Sequence, residues 1–179
     1  MAAVSQEPQG ASCAAALQAT RPGVVLDTHI VLDWLWFADP RVATLAQAVQ
    51  ASRLQWLATA DMRDELERVL VRFEAKNSSI SKKEQVLTLM DQYVSWIHQP
   101  VPRWRFTCTD PDDQKFIDLA VHAQARWLVS RDRAVLKLRT RALAQGCEFT
   151  TPEGVNWDGA GLLLERYDEV ERVAARLPY

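Results

Sequence analysis

The sequence predicts an α/β fold in which helices cover a mainly parallel central sheet. Gly23-Val24-Val25-Leu26, Gln55-Trp56-Leu57-Ala58 and Trp127-Leu128-Val129-Ser130 are short apolar runs without polar alternation, as strands buried on both faces are. Between these runs, apolar residues recur at helical spacing. Strands that alternate with helices are joined by crossovers, and crossovers favour parallel pairing.

A chain of 179 residues is long enough for one domain with a sizeable core. Its 48% apolar and 25% charged residues are ordinary for a globular protein. We expect a flexible leader over residues 1–20, rich in Ala, Gln and Ser, and a single domain over residues 21–179 that ends in a helix. The net charge of −2 excludes a polycation that coats nucleic acid through its overall field, so any such contact must be local. Cys13, Cys108 and Cys147 are too far apart for a disulfide framework or a zinc site, which suits a reducing cytoplasm. No run approaches the ~18 apolar residues of a membrane span.

In chain order, residues 23–26 form the first strand and Asp27 stands at its carboxyl end. Residues 29–37 form a helix with Ile30, Trp34 and Phe37 inward, closed by Asp39-Pro40. A second helix spans residues 40–51, with Pro40 in its first turn and Val42, Leu45, Ala46 and Val49 inward. After the strand at 55–58, Asp61 caps a helix that buries Met62, Leu66, Val69, Leu70 and Phe73, with Glu65 at the edge of that stripe. Asn77-Ser78-Ser79 reads as a linker. Ser81 and Glu84 match a capping box ahead of a helix through Val86, Leu89, Met90, Tyr93 and Ile97. Residues 104–108 suggest a weak strand. Asp110-Pro111-Asp112-Asp113 opens a helix with Phe116, Ile117, Ala120 and Val121 inward. The strand at 127–130 precedes a helical segment over 131–138, Gly146 breaks the chain, and 148–151 form the last strand. Residues 159–177 form an amphipathic helix.

Asp27, Glu65, Asp113 and Asp132 all lie at strand ends or helix starts, where the active sites of such sheets are built. Taken singly, each also fits a plain cap or a solvated first-turn residue. Taken together, they need a counter-charge, since two carboxylates about 5 Å apart repel by roughly 3 kcal/mol at an effective dielectric near 20. With no cysteine or histidine cluster present, an all-oxygen set points to Mg²⁺ or Mn²⁺ and to hydrolysis at phosphorus. Arg131, Arg133 and Lys137, in a basic stretch that continues to Arg141, are candidates for contact with phosphate. His98 and His122 have no partner at ligand spacing.

The four motifs resemble the PIN-domain ribonucleases, in particular the toxin-like branch of toxin-antitoxin systems, over residues 23–153. The resemblance implies a three-layer α/β/α sandwich and an Mg²⁺- or Mn²⁺-dependent endoribonuclease. It makes Asp27 in Val-Val-Leu-Asp-Thr the first metal-binding acid, Glu65 the second, Asp113 the third and Asp132 in Leu-Val-Ser-Arg-Asp the fourth. Asp113 is preferred to Asp112 because it stands seven residues before Ala120, the family's spacing. Thr28, His29, Asp112 and Ser130 would support the acids. His29 replaces the family's usual Asn, and Ser130-Arg131-Asp132 replaces Thr-Gly-Asp. RNA as substrate, a small antitoxin protein and a homodimer are implied partners. The rivals are a catalytically silent relative that binds RNA or protein, and an aspartate phosphatase. The phosphatase would want an acid where His29 stands, and no phosphate-binding glycine loop is present.

Overall fold

The computed structural model describes residues 21–77 and 82–159. Its five strands are β1 (Gly23–Leu26), β2 (Gln55–Ala58), β3 (Val94–Trp96), β4 (Trp127–Val129) and β5 (Glu148–Thr150). They form one sheet in the order β3-β2-β1-β4-β5, and every pairing is parallel. Among the described residues the helices are α1 (Thr28–Leu35), α2 (Ala43–Gln50), α3 (Ala60–Asn77), α4 (Lys82–Tyr93), α5 (Gln114–His122), α6 (Arg133–Leu136) and α7 (Arg139–Leu143).

Successive side chains of a strand point to opposite faces. Val24, Val25 and Leu26 on β1, and Trp127, Leu128 and Val129 on β4, are all buried, so both faces of the sheet are covered. Right-handed crossovers place α1 to α4 on one face and α5 to α7 on the other. Gly23 opens β1 because a Cβ there would stand 2.9 Å from the Leu57 side chain and 3.4 Å from the Ala125 backbone.

The chain leaves β1 toward β2 and returns on the other side of β1 as β4. Such a reversal of strand order opens a crevice between the two carboxyl ends. Asp27 and Ser130 are the residues that follow those ends.

Several expected elements are corrected. The helix expected to run through Ile97 stops at Tyr93, and Val94–Trp96 pairs with Trp56, Leu57 and Ala58 as the edge strand β3. Residues 104–108 do not form a strand; their amides bond to helix side chains instead, Trp104 to Asp118 at 2.8 Å and Cys108 to Gln114 at 2.7 Å. Phe37 is 56% exposed rather than inward, because α1 ends at Leu35 and the chain turns through a left-handed Ala38. Residues 40–42 form a 3₁₀ turn before α2, and the segment after β4 is split into α6 and α7. The expected leader, the Ser78-Ser79 linker, the Ser81 cap and the helix over 160–177 lie outside the described residues.

The fold continues past α6. Trp157 is buried, donates its indole N–H to the Pro152 carbonyl at 2.5 Å and meets Trp127 edge-on with centroids 5.4 Å apart. No helix among the described residues is long and apolar enough to cross a membrane.

Candidate active site

Asp27 begins α1 as its N-cap, and its carboxylate is fixed from two directions. Oδ1 accepts the His29 amide at 3.2 Å, and Oδ2 accepts the Ser130 hydroxyl at 2.5 Å. The side chain is almost wholly buried, so its orientation depends on these two donors. Ser130 follows β4 and is fully buried. Its hydroxyl donates to Asp27 and accepts the Asp132 amide at 2.9 Å, so one oxygen ties two of the acid-bearing segments together. Asp132 caps α6 by accepting the Ala134 amide at 2.5 Å.

Asp113 occupies the cap position of α5, but its helical backbone (φ −83°, ψ −13°) prevents a capping bond. Its Oδ2 atom is buried and has no hydrogen-bond partner. Burial, reinforced by the negative charges of Asp27, Asp132 and Asp110 and opposed by Lys115, pushes the carboxyl up to about 7. The charges of Asp27 and Asp132 thus both act on Asp113. Asp112 is exposed, and its amide bonds to Asp110 at 3.0 Å, so Asp113 is the member of the pair that turns inward.

Glu65 lies in the second turn of α3 and reaches across to α1. Its Oε1 accepts the Thr28 hydroxyl at 2.8 Å, and its Oε2 forms an ion pair with Lys115. His29 is largely exposed, with Nδ1 3.8 Å from Asp27 Oδ1. The nearby Asp27 carboxylate is the main cause that raises its pKa, helped by the charges of Asp113 and Asp33 and opposed by burial.

The basic residues divide. Arg131 forms ion pairs with Asp33 on α1 and, at 2.6 Å, with Glu153 beyond β5, so it fastens structure instead of facing solvent freely. Arg133 and Lys137 are exposed on and after α6. Sequence reasoning missed two features, the Lys115–Glu65 pair and the Asp33–Arg131 pair. Lys115, two residues after Asp113, carried a local signal; Asp33 and Arg131, 98 residues apart, carried none.

Among the described residues, no three acid, histidine or cysteine side chains are drawn together at metal-ligand spacing. Asp113 is raised first by burial and then by the neighbouring negative charges, a state that a bound cation would relieve. The donor set nonetheless fits a hard divalent cation. It is all carboxylate, and it includes a buried oxygen without a partner.

A family profile described as PIN domain matches residues 23–134, well over half of the 179. No curated protein and no solved structure matches the chain.

Proposed function

This chain belongs to the PIN-domain family, whose fold is of nuclease type, and from that premise we propose that it is an Mg²⁺- or Mn²⁺-dependent endoribonuclease. The observation that carries the reading is the half-buried Asp113 carboxylate, whose buried Oδ2 lacks a partner and which is raised to about 7 by burial and by the charges of Asp27 and Asp132. A cation would relieve that state, as a proton does in its absence. Asp27, Asp113 and Asp132 would hold the ion directly or through water, with Glu65 completing the acidic wall. A bound divalent ion supplies the charge that activates water and stabilises the oxygen leaving phosphorus.

The chain's own groups do the positioning. Ser130 and the His29 amide keep the Asp27 carboxylate in one orientation, and Ser130 holds the Asp132 backbone beside it. Arg133 and Lys137 are placed for the flanking phosphates of an RNA strand. The motif resemblance supports a toxin role in the cytoplasm, with a small antitoxin partner and a homodimeric assembly.

The test is incubation of the chain with single-stranded RNA in Mg²⁺, Mn²⁺ or chelator. Cleavage should require the metal and vanish in Asp27→Asn, whose amide oxygen can still cap α1 and preserve the fold. A second reading, a silent module that binds RNA or protein, draws on Glu65 being already satisfied by Thr28 and Lys115. RNA binding without cleavage under every metal condition would favour that module.

A further inference from the structure

We propose that Lys115 serves as a built-in second cation of this centre: its ammonium neutralises Glu65, so the site takes one divalent ion rather than two. The inference rests on the metal-dependent reading above and adds the number of ions and the role of Lys115.

The acids fall into two unequal halves. Both oxygens of Glu65 are committed, Oε1 to the Thr28 hydroxyl at 2.8 Å and Oε2 to the Lys115 ammonium. Asp113 Oδ2 has no partner at all. A carboxylate with a paired charge and a donated hydroxyl gains little from a metal, whereas a buried unpartnered oxygen beside two other acids gains a great deal.

Lys115 is held where it is needed. It lies in the first turn of α5, where the helix dipole disfavours a cation, so its placement requires a compensating negative charge. Glu65 supplies that charge from α3, and the Asp112 carbonyl accepts a second bond from the ammonium. Lys115 also lines a cleft of about 480 Å³ with Thr59, Asp61, His98 and Asp118, at the carboxyl ends of β2 and β3. Lys115 therefore borders both the acidic centre and an open cleft, and its ammonium pairs with Glu65 at the place where a second ion would otherwise balance that carboxylate.

The test is a titration of the full chain with Mn²⁺, with free ion counted by electron paramagnetic resonance, alongside the same titration of Lys115→Gln, Lys115→Arg and Lys115→Gln/Glu65→Gln. The expected result is about one ion per chain in the wild type and in Lys115→Arg, about two in Lys115→Gln and about one again in the double variant. Circular dichroism of each variant confirms folding, and Lys115→Arg guards against a merely structural effect. About two ions in the wild type, or an unchanged count in folded Lys115→Gln, overturns the inference and leaves the metal-dependent reading standing. No bound ion in the wild type removes both.

Discussion

Asp113→Asn should make the metal-free protein more stable at alkaline pH while removing its response to divalent ions. Folding raises the Asp113 carboxyl from the ordinary 3.8 to about 7, mainly through burial and then through Asp27 and Asp132. At 1.36 kcal/mol per tenfold change, that displacement sets a ceiling of about 4 kcal/mol. The carboxyl is half-open to water, so solvent screening reduces the effect to ~1–2 kcal/mol. The folded value lies above the unfolded one, so the native state binds the proton more tightly. The penalty is absent below about pH 4, where both states are protonated, grows as pH rises, and is complete above about pH 7. Asp113 makes no capping bond, so removing its charge removes no helix cap. Thermal denaturation in chelator at about pH 8.5 should therefore show the variant melting ~2–8 °C higher, with the difference gone at about pH 4. Addition of Mn²⁺ should reverse the order, since an ion at a hundredfold its dissociation constant stabilises the wild type by about 2.7 kcal/mol. A variant less stable than the wild type at both pH values in chelator would refute the reasoning.

Three further outcomes are expected. Ser130→Ala loses the hydroxyl that bonds Asp27 and Asp132, and urea denaturation should show a loss of ~1–3 kcal/mol with weakened Mn²⁺ binding in calorimetry. His29→Gln should lower stability at about pH 5 and leave it unchanged at about pH 9, because a raised histidine stabilises below its unfolded pKa and loses that contribution as pH passes its folded value. Truncation after residue 145 removes β5 and Trp157 while keeping the whole family match, and proton spectra of the product should lack the dispersion of a packed core.

Four of the five strands, β1, β2, β4 and β5, were legible because largely buried β-branched and aromatic runs of three or four residues leave a local trace. β3 was not, because Val94 continues the helical spacing of Val86 and Met90, and no breaker separates α4 from it. Residues 104–108 misled through their alternation of Trp104, Phe106 and Cys108. Pro100 and Pro102 lie just before them, and the amides of Trp104 and Cys108 are taken by Asp118 and Gln114, so the segment packs as a loop with Trp104 edge-on to Phe106 at 4.8 Å. The positions of the acids at strand ends and helix starts could be read because those junctions are local. The pairing of Glu65 with Thr28, 37 residues away, and with Lys115 could not, since it depends on how α1, α3 and α5 meet.

The sheet is bordered by β3 and β5, each three residues long. Borders that short expose too few backbone donors and acceptors to template the strand of another molecule. Among the described residues, copies of this protein therefore offer each other only a short ladder to extend, which disfavours fibrillar stacking through these edges. Pairing through the described surface would then draw on side chains of the helical layers more than on strand edges.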